Sequence, residues 1–217
     1  GNLCKKFNIK DGYIQYGYAE LKNVGLQTAE TLISSVEELE KKLNKTAIEF
    51  TWYEFLLFLS TKIDSRSVYN LISCGLLDNT GISRQRQLAE YSAFVSLTGK
   101  PELKFIEEEG NKYEDLINLI EGMLKADKTT IVKKKEVFVP LIKGQRRAKV
   151  ESILSGLYNP GTSWEDSVNW VCDVETEIMG TAISKSKTKS FERLGNIKCL
   201  DFCLGKGNNG IRLVAEV

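Results

Sequence analysis

The sequence predicts a mainly α-helical chain, built as tandem helical hairpins followed by a helical connector and a closing pair of strands. Three observations predict this. Ala29, Leu32, Ile33, Val36, Leu39 and Leu43 recur at spacings of three and four, the period of one helix face. Breaks at Asn23-Val24-Gly25 and Ile63-Asp64-Ser65-Arg66 are so short that the flanking helices must fold back on each other. From Ile197 onward the pattern changes to short apolar runs around the turn-rich Gly205–Gly210 segment.

Taken in order, Tyr13, Ile14 and Tyr16 suggest a short extended stretch, and Tyr18 and Leu21 share one face of a short helix. The turn Lys22-Asn23-Val24-Gly25 leads into a helix over Leu26–Leu43. A second pair comprises the almost wholly apolar Trp52–Leu59 and the segment Val68–Leu77, and a fifth helix spans Ser83–Leu97. Further on, Pro101–Lys125 is acid-rich with one helix over Tyr113–Leu124, and Lys128–Lys149 is basic. That block carries Lys133, Lys134, Lys135, Arg146 and Arg147, and such blocks are usually linkers or solvated faces. Helices are expected again over Arg146–Leu157 and Trp164–Ile183, then an exposed loop over Ser184–Ser190 and strands at Ile197–Cys203 and Ile211–Val217. The implied domains are a hairpin domain over 1–98, a charged helical linker over 99–160, a connector over 161–196 and the first strands of a further fold over 197–217. An apolar strand ending at Val217 suggests a truncated chain.

Composition narrows the function. The 217 residues and 42% hydrophobic content suffice for a substantial core. Lys and Arg total 30 against 29 for Asp and Glu, so a general electrostatic coat for nucleic acid is absent and any such contact must be local. No apolar run has membrane-spanning length and no leader opens the chain, which predicts a soluble cytoplasmic protein with no membrane partner. Cys4, Cys74, Cys172, Cys199 and Cys203 are odd in number and scattered, as expected of reduced thiols. Cys199 and Cys203 lack the further Cys or His that a zinc site requires, and no cofactor or metal is expected. With no histidine, Ser-His and Cys-His nucleophile pairs and imidazole bases are excluded. Glu107, Glu108 and Glu109 are consecutive, so their carboxylates splay as a solvated face.

The sharpest local signal is Lys22-Asn23-Val24-Gly25. A tight turn before a helix presents backbone N–H groups in the positive field of the helix dipole, a device suited to phosphate. Lys22 adds charge, Asn23 tolerates left-handed backbone, and Gly25 permits positive φ and close approach. Gln27 and Thr28 lie at the helix start, and Ser65 and Arg66 offer a weaker second site of the same kind. A glycine that merely turns a corner is the competing interpretation.

Ile14, Tyr16, Gly17, Leu21, Lys22, Val24, Gly25, Glu30 and Leu32 resemble the helix-hairpin-helix pattern of the DNA polymerase III alpha subunit family, the bacterial and phage C-family replicative polymerases. Phe55, Val68, Leu71, Ile72, Gly75, Leu77 and Asp78 resemble the second hairpin of that family, with Arg84 and Leu88 following. Trp170 and Glu175–Gly180 through Ser184 resemble a later block, and Leu200, Asp201 and Ile211–Val217 are similar to the entry into an OB-fold. The four blocks fall in family order, whereas 99–160 carries little resemblance. Departures include Asn23 in place of the first hairpin glycine and Lys185-Ser186-Lys187 in place of Gly-His-Pro, which suggests a divergent member from a bacteriophage or another mobile element.

The resemblance implies non-sequence-specific binding of duplex DNA through Lys22, Asn23, Val24, Gly25, Gln27, Thr28, Ser65 and Arg66, within a parent enzyme that extends DNA from dNTPs. The family's catalytic palm lies outside this chain, so no catalytic residue is expected in it. A sliding clamp and other replisome subunits are the further partners implied. The family's clamp motif, roughly Gln-x-x-Leu-Phe, has no good counterpart: Gln85-Arg-Gln-Leu-Ala and Gln87-Leu-Ala-Glu-Tyr both fail it. Two rival readings remain, a replisome interaction module with the hairpins as scaffold only, and a stand-alone phage protein that mimics the polymerase region.

Overall fold

The structure, a computed structural model, describes Lys6, the backbone of residues 8–10 and 13–15, and residues 17–187. The strands expected over 197–203 and 211–217, and the Cys199/Cys203 pair, lie outside the described residues. The chain divides into two units, Gly1–Glu165 and Asp166–Val217.

In the first unit, β1 (Asn8–Lys10) and β2 (Tyr13–Gln15) form an antiparallel hairpin, with Ile9 opposite Ile14. A single 3-10 turn, Tyr18–Glu20, replaces the short helix expected there, and extended backbone at Leu21 ends it. Then follow α1 (Leu26–Leu43), α2 (Trp52–Glu54), α3 (Ser65–Ser73), α4 (Arg84–Val95), α5 (Lys100–Glu109) and α6 (Leu116–Lys125). A ribbon of β3 (Asp127–Val132) and β4 (Lys135–Pro140) precedes α7 (Gly144–Tyr158). The architecture among the described residues is thus mainly helical, with two small antiparallel hairpins.

Local chemistry sets the boundaries. Thr51 and Glu54 cap α2 reciprocally, and Phe55–Leu59 continues it as a π-turn closed by the Ser60 amide on the Phe55 carbonyl at 3.0 Å. Asp64, Ser83 and Asp115 cap α3, α4 and α6 through side-chain oxygens. Ala29, Leu32, Val36 and Leu39 form the buried stripe of α1, which packs on the Phe55–Leu59 segment. Leu56, Val68, Leu71 and Ile72 are wholly buried beside them, and α3 packs on α4.

Two further elements differ from expectation. The acid-rich stretch holds an additional helix, α5, begun by Gly99 with Pro101 in its first turn, where the missing proline N–H costs nothing. The basic stretch is partly strand: Thr129–Val132 pairs with Lys135–Phe138 across a turn at Lys133 and Lys134. Beta-branched residues on both arms, with Phe138 on the second, favour strand, and the intervening lysines hide the alternation. The ribbon is largely exposed, whereas Leu119, Ile120 and Met123 of α6 and Val150 of α7 are fully buried, and those two helices pack together.

In the second unit, Ser167 caps α8 (Val168–Met179) and Gly180 ends it in the left-handed conformation. The buried Glu175 carboxylate accepts from the Ile183 and Ser184 amides at 2.6 and 2.8 Å, which pins the following loop to the helix. No helix among the described residues is long and apolar enough to cross a membrane.

Candidate nucleic-acid interface

Leu21 and Val24 are buried and anchor the first turn, and the Val24 amide closes it on the Leu21 carbonyl at 3.0 Å. Between them Lys22 and Asn23 are exposed. Asn23 adopts φ 64°, the left-handed conformation that asparagine tolerates better than most residues. Gly25 does not, because its backbone is extended at φ −75° and ψ 167°. The expectation that Gly25 supplies positive φ is therefore corrected: the turn takes its reversal at Asn23, two residues earlier.

Gly25 is the N-cap of α1, and no side chain caps that end. The first-turn donors of an α-helix have no intrahelical partner, and the first turn of α1 holds no acidic residue to satisfy them. A Cβ at Gly25 would meet nothing within 4 Å. Gln27 is exposed and Thr28 half-buried, with the Gln27 carbonyl accepting from the Thr31 hydroxyl at 3.0 Å.

Ser65 and Arg66 are the first two residues of α3, both exposed. The structure brings their helix end against the first turn. Ser67 Oγ donates to the Asn23 carbonyl at 3.1 Å, and Asn70 Nδ2 donates to the Lys22 carbonyl. Ser67 and Asn70 are both buried, so the carbonyls of Lys22 and Asn23 are tied inward onto α3.

The two helix ends are electrostatically unlike. Asp64 Oδ1 accepts from the Ser67 amide at 3.0 Å and Oδ2 from its hydroxyl at 2.6 Å. These bonds, the hydroxyl foremost, hold the Asp64 carboxyl below the ordinary carboxylate range. The start of α3 thus already carries a bound anion of its own, whereas the start of α1 carries none.

Other residues singled out in the sequence serve the architecture. Arg84, 2% exposed, grips Asp78 through Nε at 2.9 Å and Nη2 at 2.6 Å, while Nη1 donates to the Ser73 carbonyl at 2.9 Å. Gly75, at φ 85°, leaves the space that the guanidinium fills. Gln87 is buried, and its Nε2 donates to the Leu77 and Ile82 carbonyls and to Thr80 Oγ1. Glu90 is buried too, accepting from Trp52 Nε1 and from Arg86 Nε, each at 2.7 Å. The Gln87–Tyr91 segment is accordingly part of the core of α4. Among the described residues no group of three His, Cys, Asp or Glu side chains could hold a metal ion.

Sequence reasoning missed the burial of Arg84, Gln87 and Glu90, since charged and amide side chains ordinarily mark surface. The Ser83 cap at the start of α4 was a usable signal for which turn Arg84 occupies. No protein-family model, curated protein or solved structure matches this chain.

Proposed function

We propose that the chain grips duplex DNA without regard to sequence, through the turn Lys22–Gly25 and the start of α1, with Gln27 and Thr28 beside it. In this reading the Lys22 turn and the Ser65/Arg66 end of α3 form tandem helix-hairpin-helix units, and the parent protein is a replicative polymerase of the DNA polymerase III alpha type. The observation that carries it is Gly25. Its backbone is one that any residue adopts, and a Cβ there would touch no neighbour. Among the described residues no dihedral angle or steric contact calls for glycine, leaving only the general preference for glycine at an N-cap. An approaching phosphate would call for it, because a side chain would stand before the uncapped N–H groups of α1.

Fluorescence anisotropy with a labelled duplex tests this. Gly25→Val suits the extended backbone, and its Cβ meets no described neighbour within 4 Å, so the helices should persist by circular dichroism while duplex binding falls strongly at every salt concentration. Lys22→Ala should weaken binding modestly and lower the salt slope by roughly one phosphate contact. Neither change should alter preference among sequences, because backbone N–H groups on phosphate read no base. A folded Gly25→Val protein that binds like the wild type would transfer the reading to a protein-interaction module. The near-neutral charge and the Asp64 carboxylate at the start of α3 are what favour that second reading.

A further inference from the structure

The basic stretch between α6 and α8 divides into spent and unspent charge. Arg146 pairs with the buried Glu102 at 2.7 Å, and Arg147 with Glu151 at 2.8 Å while also donating to the Leu124 carbonyl. Lys128, Lys133, Lys134 and Lys135 are exposed on the β3–β4 ribbon and make no ion pair among the described residues. Against these four the ribbon carries only Asp127 and Glu136.

The turn itself is unusual. Lys133 and Lys134 are its two central residues, at φ 49° and 64°. A two-residue hairpin turn with both centres at positive φ favours Asn-Gly, and lysine adopts that backbone at a cost. Strained residues that persist point to a role outside the fold. The ribbon also exposes large apolar side chains: Ile131 is 74% and Phe138 72% exposed. The register places Thr129 opposite Phe138 and Ile131 opposite Glu136, so Ile131 and Phe138 lie diagonally on one face.

We infer that the β3–β4 ribbon is a second nucleic-acid contact, an arm that sets Lys133, Lys134 and Lys135 on the phosphates flanking a duplex groove with Ile131 and Phe138 lodged against the groove wall. Unpaired lysines complement phosphate as point charges, a two-stranded ribbon has the width of a groove element, and apolar side chains pack against sugars and bases within it. The inference rests on the reading of this chain as a duplex-binding protein, but not on the turn at Lys22–Gly25.

The test uses the whole chain, a labelled duplex and two salt concentrations. K133N/K134G installs the preferred turn sequence, so the ribbon should gain stability while it loses charge. Duplex affinity should drop on the order of tenfold or more, and the log–log salt slope should fall by about two. Phe138→Thr, which keeps a strand-forming residue, should lower affinity severalfold with the salt slope unchanged. Wild-type affinity and slope in K133N/K134G would overturn the inference, even if Gly25→Val abolishes binding and so leaves the turn reading standing. Loss in K133N/K134G with full binding in Gly25→Val would support the ribbon and remove the turn. A wild-type chain that binds no duplex would overturn both. Binding to vesicles of phosphatidylserine and phosphatidylcholine that depends on Lys133 and Lys134, while duplex binding does not, would overturn the ribbon inference alone.

Discussion

Ser67 Oγ donates to the Asn23 carbonyl at 3.1 Å, across 44 residues of sequence, and so joins the start of α3 to the turn that precedes α1. The same hydroxyl donates to Asp64 Oδ2 at 2.6 Å, and one hydroxyl hydrogen cannot serve both acceptors at once. The carboxylate, being charged, is the stronger acceptor, so the Asn23 contact is the weaker and more easily opened of the two.

Ser67→Ala removes both contacts from a fully buried position. It should lower unfolding stability by about 0.5–1.5 kcal/mol in urea titration, the net range of an intramolecular hydrogen bond, because Asp64 and Asn23 are exposed residues and water can replace the hydroxyl. Amide exchange through residues 22–25 should quicken, because the Asn23 carbonyl loses a tether to α3. Unchanged exchange in that turn would mean the Asn70 contact on the Lys22 carbonyl holds it alone.

Asp64→Asn separates capping from charge. Asparagine caps a helix about as well as aspartate, so stability at pH 7 should change by no more than about 0.5 kcal/mol. The folded Asp64 carboxyl titrates below its unfolded counterpart, owing first to the Ser67 hydroxyl and then to the Ser67 amide. Its ionised form therefore adds stability above the unfolded pKa of about 3.9, and that increment vanishes as pH falls through the folded value. The wild type should lose this increment on acidification, and Asp64→Asn should not. If Ser65 and Arg66 also meet phosphate, removing the neighbouring negative charge should tighten duplex binding severalfold at low salt. Anisotropy that shows equal affinity for the two proteins would take α3 out of the contact.

The helices with three-and-four apolar spacing were legible because burial imposed the spacing: Leu32, Val36 and Leu39 lie inward in α1, and Leu71 and Ile72 in α3. Helix α5 was not, because only Phe105 of its apolar residues is buried and its Glu107–Glu109 run is that of a solvated face. The β3–β4 ribbon escaped notice for a related reason, since an exposed two-stranded ribbon has no core side to impose a clean alternation. At the candidate site the turn was legible from Lys22 to Gly25, yet the division of labour within it was not. Asn23 and Gly25 both permit left-handed backbone, and only the path of the chain onto α3 decides which one uses it.

Gly75 and Arg84 should behave as one unit. Arg84→Ala leaves the Asp78 carboxylate and the Ser73 carbonyl without their donor. Because the Asp78 side chain is about half exposed, water offsets part of the loss, and about 2–3 kcal/mol is expected in urea titration. Arg84→Lys should recover little, since an ammonium cannot reproduce the two-pronged grip. Gly75→Ala meets positive φ and places a methyl where the guanidinium lies, at a cost above about 1 kcal/mol. In the double variant the steric part disappears, so the combined loss should fall short of the sum of the single losses. Strict additivity would show that the guanidinium moves aside freely.

Glu175 makes the corresponding test in the second unit. Its carboxylate is fully buried, and one oxygen, Oε2, accepts from two successive amides, Ile183 and Ser184. Two N–H groups converging on one charged oxygen form a strong anchor, because a charged acceptor strengthens each bond. Cys172 Sγ donates to the Lys185 carbonyl at 3.3 Å and adds only a weak second tether. Glu175→Ala should therefore release the loop after α8 and leave both amides without their acceptor, at about 2–3 kcal/mol. Glu175→Gln retains an oxygen at the same reach but loses the charge, so it should cost roughly half as much. Hydrogen exchange read by mass spectrometry on the whole chain separates the two: peptides that cover 181–187 should exchange much faster in Glu175→Ala and only slightly faster in Glu175→Gln. If the two variants were equally fast, the charge itself would be the anchor, and the geometry of the oxygen would contribute little.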